Sequence, residues 1–277
     1  MTLVIDPDRA VILAALGLEN NPVMAWYNYI DNATISGFSP AADGAAENAK
    51  TGATWNFYSP STSSGSAWLQ MDFTSNVLPS FAALAGHNLG STGAIVSLQY
   101  TLNNGATWND SGAGSVVATN DDPIGFRLKG TIGATRWRFY ITSFSGTLAV
   151  ATVFLGEEFI FDRRFYGGFS PVLTPSEIEL NVNRSIGGQL LEGHVRFQGS
   201  SLSATLDNLS AASCRSAEYL ALQEGFNKGD PVYFAWRPTK YPQDFYYGWK
   251  SGSGLRPTNN GVRDLMRLQI SMDVYDA

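Results

Sequence analysis

The chain has 277 residues, a formal net charge of −6, 44% apolar and only 15% charged residues. Its acidic balance and 13 scattered arginines exclude a phosphate-backbone binder, and its single cysteine, Cys214, excludes an internal disulfide or a cysteine-cluster zinc site. With 28 glycines and 13% aromatics, the composition is that of many short strands joined by tight turns rather than of a helix bundle.

Asp6-Pro7-Asp8-Arg9 ahead of Ala10–Leu16 fits a short helix, with Asp6 as N-cap, Pro7 at the first helical position and Gly17 as the stop. The run Val11-Ile12-Leu13 leaves a strand as the alternative. This N-terminal segment, residues 1–22, has no basic leader and is too short to span a bilayer, so neither a signal peptide nor a membrane insertion is expected.

Val23–Ile30 then reads as a strand. Residues 31–66 are strand-poor, apart from the aromatic island Trp55-Asn56-Phe57-Tyr58. Strands follow at Ala67–Phe73, Ser80–Ala85, Gly93–Leu102, Gly125–Leu128, Thr135–Ile141 and Leu148–Leu155. Asn103-Asn104-Gly105 is the strongest hairpin signal in the chain. Residues 23–158 therefore predict one β-sandwich.

The texture changes at the charged stretch Glu157–Arg164 and the turn-rich Tyr166–Pro171, which places a linker at 159–170. Residues 171–277 predict a second β-sandwich with one packed helix. Its strands fall at Ile178–Val182, Leu190–Phe197, Pro231–Trp236, Phe245–Trp249 and Arg267–Tyr275, with a Ser185–Gly188 turn between the first two. The helix spans Ala211–Phe226, with Leu220, Leu222 and Phe226 on its apolar side and Gly225 and Gly229 at its end. The fold class is mainly β.

No catalytic motif emerges. There is no nucleophile elbow, P-loop, dinucleotide fingerprint or zincin helix, and the only imidazole bases are His87 and His194. Cys214, at the start of the predicted helix, reads as a small packed residue rather than an activated thiol. Glu157 and Glu158 point to opposite faces of a strand, and Asp121-Asp122-Pro123 reads as a turn. The four Asn-x-Ser/Thr sequons at Asn32, Asn109, Asn183 and Asn208 carry no glycan without an export signal. No enzyme activity, cofactor or metal is expected.

What remains is aromatics in polar loops. Trp55, Phe57 and Tyr58, and the Trp108-Asn109-Asp110 run after the Asn-Gly turn, pair flat apolar faces with amides and a carboxylate, as sugar recognition requires. The alternative is that these rings plug the ends of the sandwich. His87-Asn88 reads either as a loop donor pair or as a polar pair fixing a corner.

Trp68-Leu69-Gln70-Met71-Asp72-Phe73 resembles the Trp-Leu-Gln-Val-Asp-Leu type of strand of discoidin-like, galactose-binding-like jelly rolls. Gly86-His87-Asn88-Leu89 resembles a variant found in tail and appendage proteins of tailed bacteriophages. Asn104-Gly105-Ala106-Thr107-Trp108 and Arg136-Trp137-Arg138-Phe139-Tyr140 resemble the family's hairpin and late strand. The resemblance covers residues 23–158 and implies a structural virion protein, assembled in the host cytoplasm, at a tail tip or baseplate.

By the same resemblance, the C-terminal part would be tail-tube- or distal-tail-like and form a trimeric or hexameric ring with other tail proteins. Arg237, Tyr246, Tyr247 and Trp249 are the expected interface anchors. The jelly roll would touch host-surface polysaccharide or neighbouring tail proteins. A freestanding carbohydrate-binding, lectin-like protein is the alternative, and a polysaccharide hydrolase the third reading.

Overall fold

The computed structural model describes residues 2–173, 177–184, 186–261 and 263–276. The chain is mainly β, a β-sandwich with few helices. β1 (Thr2–Ile5) is followed by α1 (Pro7–Ala15), which begins as expected: the Asp6 carboxylate accepts from the amides of Asp8 and Arg9, and Gly17 breaks the helix at φ 68°. β1 itself was not expected. It pairs in parallel with β8, so the N-terminal segment is an edge strand of the main sheet rather than an appendage.

The sandwich is built from β2 (Val23–Asn28), β3 (Thr34–Gly37), β4 (Ser64–Val77), β5 (Phe81–His87), β6 (Ile95–Thr101), β7 (Asn109–Val117), β8 (Ile124–Arg127), β9 (Ala134–Ser145) and β10 (Val150–Ile160). One sheet, in the order β3-β4-β9-β6-β7, covers the β8-β5-β10 part of the other. Alternation drives this packing: Leu69, Met71, Trp137, Phe139 and Ile141 face inward, and their neighbours Gln70, Asp72, Arg136, Arg138 and Tyr140 face out. The expected Asn-Gly turn forms, with Asn104 and Gly105 both at positive φ, inside a longer loop between β6 and β7.

β11 (Glu177–Arg184) and β12 (Leu190–Ser210) form a hairpin whose second strand runs on to pair with β16. Ser185 of the expected turn and the His194 side chain lie outside the described residues. α2 (Ala217–Lys228) is capped by the Ser216 hydroxyl and ends at Gly229, φ 102°. Its buried face is Tyr219, Leu222 and Phe226. Leu220, expected there, is exposed because the register is set by Tyr219, and Gly225 sits inside the helix. β13 (Val232–Ala235), β14 (Phe245–Lys250), the short β15 (Thr258–Asn259) and β16 (Leu265–Val274) complete the fold. Leu268, Ile270, Met272 and Val274 are all buried, as the alternation requires.

One sheet crosses the boundary expected at 159–170. β2 pairs with β10 on one side and β13 on the other, so a single sheet runs through both halves in the order β1-β8-β5-β10-β2-β13-β14-β16-β12-β11. Phe159, Phe161 and Phe165 of the expected linker are buried against α2, Phe234 and one another. Where β10 meets β2, a Cβ on Gly156 would lie 1.7 Å from the Tyr27 carbonyl oxygen, so the pairing needs glycine. The sheet also curls: the Leu3 amide donates to the Pro242 carbonyl at 3.0 Å, and Phe81, Phe154, Tyr233, Phe245 and Tyr247 fill the concave face.

The same curl corrects the expected interface at β14. Tyr246 packs on the α2 side and Tyr247 in the concave trough, so both are core residues of a strand buried on both faces. Trp249 is partly exposed, and Arg237 lies over the Trp236 ring at 4.9 Å.

Candidate functional site

β2 stops at Asn28, where the chain turns into the 3₁₀ turn Tyr29–Asn32, while β10 continues past it through Leu155 to Thr152. The Asn28 side-chain carbonyl holds this divergence by accepting from the amides of Ile30 (3.2 Å) and Leu155 (3.2 Å). The gap beside the end of β2 is a cavity of about 210 Å³. Trp26, Asn28, Asp31, Lys50, Thr152, Asp230 and Tyr233 are among the residues that line it.

The lining is chemically varied. Tyr233 is wholly buried, and its hydroxyl has no partner among the described residues. Burial raises its pKa well above the phenol's ordinary value. Burial also raises the Asp31 pKa, an effect that Lys50 opposes and Asp230 reinforces. Lys50 donates to the Ala33 carbonyl at 3.0 Å, and the Tyr247 hydroxyl donates to the Gly52 carbonyl at 2.6 Å, tying the 46–54 stretch to β14. Gly52 sits there at φ +71°, where a Cβ would be 3.2 Å from Pro231. The residues lining the cavity thus include a tryptophan, two aspartates, a lysine and a tyrosine.

The expected ligand residues separate into two ends. One end holds Tyr58, His87 and the start of β10: Tyr58 bridges to Val150, and Val150 pairs with His87. Trp55 is in the same loop as Lys50 and Gly52 and is 80% exposed, and Phe57 is 42% exposed. Trp108, Asn109 and Asp110 lie at the far end, after the β6–β7 turn.

Three of the expected ligand residues make contacts within the fold. Tyr58 is fully buried and its hydroxyl donates to the Phe38 carbonyl at 2.7 Å. His87 is buried, its Nδ1 accepts from the Leu89 amide, and desolvation lowers its pKa to about 4 against the weaker pull of Asp121. Asn88 fixes the corner, donating to the Thr147 carbonyl and accepting from the Ala149 amide, both at 2.7 Å.

At the far end, Trp108 is capped by the Arg138 guanidinium at 4.0 Å. Asp110 accepts from the amides of Gly112 and Gly114. Cys214 is buried and its thiol is pushed up to about 11, which leaves it inert at neutral pH.

Asp31, Lys50, Asp230 and Tyr233 were not foreseen as site residues. They come together only through the β2–β13 pairing, and no local pattern marks them. Glu157 and Glu158 are also accounted for. Glu157 accepts from the Tyr29 hydroxyl, while Glu158 is buried between Arg127, bonded through Nε (2.7 Å) and Nη2 (2.8 Å), and Arg9 (2.7 Å). Among the described residues, no three His, Cys, Asp or Glu side chains gather in a metal-binding group, and no helix is long and apolar enough to cross a membrane.

No protein-family model matches the chain, and comparison with curated proteins gives no match. Similar solved structures include chitosan-binding module 1 of a chitosanase/glucanase from Paenibacillus sp. IK-5, at 14% identity and a TM-score of 0.40, covering 47% of this chain and 98% of that one. The Clostridium perfringens protein CpGH89CBM32-6 matches at 16% identity and 0.38, with the same two coverages. A Bacteroides thetaiotaomicron protein described as a putative α-L-fucosidase matches at 15% and 0.38 over 47% of this chain, but only 28% of its own length is covered. At these identities and scores, the likenesses carry no conclusion about ligand or activity.

Proposed function

We propose that this protein is a non-catalytic carbohydrate-binding protein, whose ligand is a terminal or branch sugar of a surface polysaccharide. The observation that carries this reading is the junction cavity, lined by Trp26, Asp31, Lys50, Asp230 and Tyr233 among others. Buried polar groups are normally satisfied, and the hydroxyl of Tyr233, a residue that lines the cavity, has no partner among the described residues, which makes it a candidate for a ligand's hydroxyl. The Trp26 ring offers a face to sugar C–H groups, and Asp31 and Asp230 are acceptors for sugar hydroxyls. At about 210 Å³ the cavity is smaller than the roughly 300–1,000 Å³ of pockets for drug-sized ligands, which fits one ring rather than a long chain. Trp55, a few residues after Lys50 and Gly52 and 80% exposed, is the candidate for a second ring contact.

The test is a glycan array on the intact chain, followed by titration of each hit against wild type, Tyr233→Phe and Trp55→Ala. Saturable binding that Tyr233→Phe weakens supports the reading, and an array without hits opposes it. Light scattering separates this reading from the tail-ring one. A freestanding binder gives a mass near the 29.9 kDa of one chain, whereas discrete trimers or hexamers would favour the structural assembly that the resemblance of residues 23–158 implies.

A further inference from the structure

The outer face of the five-stranded sheet carries three registered rows. Trp68 pairs with Tyr140, Gln70 with Arg138 and then Gln99, and Asp72 with Arg136. Successive rows lie about 7 Å apart along the strands. In the last row the charges cancel: Arg136 Nε is 3.1 Å from the Asp72 carboxylate, which also accepts from the Gln70 amide at 2.9 Å.

Arg138 is different. Its guanidinium is 4.0 Å from the Trp108 ring centroid and 4.8 Å from that of Tyr140, and its Nε donates to Gln99 Oε1 at 2.8 Å. No carboxylate among the described residues pairs with it. The nearest candidate by register, Asp110 beside Gln99, spends Oδ1 on the amides of Gly112 and Gly114. Two rings and one amide thus hold a half-buried, unpaired cation in a fixed plane. Such a fork matches a planar carboxylate.

We infer that this sheet face is a second binding surface, specific for an acidic saccharide, with a uronate carboxylate on Arg138 and a neighbouring sugar ring against the Trp68–Tyr140 row. The aromatic row next to the cation favours a saccharide over an isolated anion, since a bare anion gains nothing from it. The inference does not rest on the junction cavity, which is formed by other residues.

The test titrates the intact protein with trigalacturonate, neutral trigalactose and sodium sulfate, following tryptophan fluorescence and calorimetric heat. The expected result is saturable binding of trigalacturonate that weakens with added salt, little binding of trigalactose, and at least a tenfold loss in Arg138→Gln. Arg138→Lys, which keeps the charge without the planar fork, should also lose affinity, and covers the case in which Arg138→Gln folds poorly. Undiminished binding by a folded Arg138 variant would overturn the inference, as would the absence of trigalacturonate binding. Sulfate or an acidic peptide binding as tightly would overturn the saccharide assignment.

Discussion

Two polar clusters flank the β2–β10 pair, one buried around Glu158 and one whose carboxylates, Asp31 and Asp230, lie at the surface. Around Glu158 both carboxylate oxygens are consumed, by Arg127 and by Arg9 of α1, in a site without solvent exposure at either Arg127 or Glu158. At the junction the polar residues line a cavity, and the Tyr233 hydroxyl has no partner among the described residues. One cluster commits its carboxylate fully, although Arg9 Nε and Arg127 Nη1 have no partner among the described residues, and fixes the N-terminal helix to the sheet. The other stays open around a cavity.

The largest effect should come from breaking the closed cluster. Glu158→Gln leaves two guanidinium groups facing each other without a carboxylate, and should cost about 3–5 kcal/mol in denaturant unfolding. The open cluster should respond in the opposite sense. Tyr233→Phe removes an unsatisfied hydroxyl and should stabilise by about 1 kcal/mol in the same assay, while losing sugar affinity. If Glu158→Gln unfolds like wild type, or Tyr233→Phe destabilises strongly, the contrast between the clusters fails.

An acid titration sharpens the comparison, because His87 is a third buried polar group and carries a structural proton linkage. Its pKa in the folded state is about 4, below the ordinary 6.5, so the unfolded chain binds the extra proton first. Stability from this group is complete above pH 6.5 and falls as pH drops towards 4, by on the order of 3 kcal/mol. His87→Gln should flatten that limb of the stability curve between pH 6.5 and 4. A limb of unchanged slope would assign the acid sensitivity elsewhere. The smallest stability effect belongs to Trp55→Ala, within about 0.5 kcal/mol for so exposed a side chain, yet it should weaken glycan binding several-fold.

Much of the strand pattern was legible because alternation is a local signal. β16, with Leu268, Ile270, Met272 and Val274 inward, shows this well. β7 was missed because Asn109–Val117 is built of Asn, Asp, Ser and Gly with little apolar alternation, and it is a strand by virtue of pairing with β6. The paired burial of Tyr246 and Tyr247 was invisible for another reason: a strand covered on both faces loses its period of two.

The two tryptophan loops look alike in sequence. Only the cross-strand neighbour separates them, since Arg138 occupies one face of Trp108 while Trp55 stands open. The cavity had no local signature at all. Asp31 and Asp230 are about two hundred positions apart and meet only because β2 accepts β13 as a neighbour.

The most direct measurement is calorimetric titration of wild type and Tyr233→Phe, side by side, with the best neutral glycan from the array. Saturable binding by the wild type, at least tenfold weaker in a Tyr233→Phe variant of equal or greater stability, is the result expected if the open cavity is the sugar site. Equal affinity in the two proteins, or no neutral glycan bound by either, would contradict it.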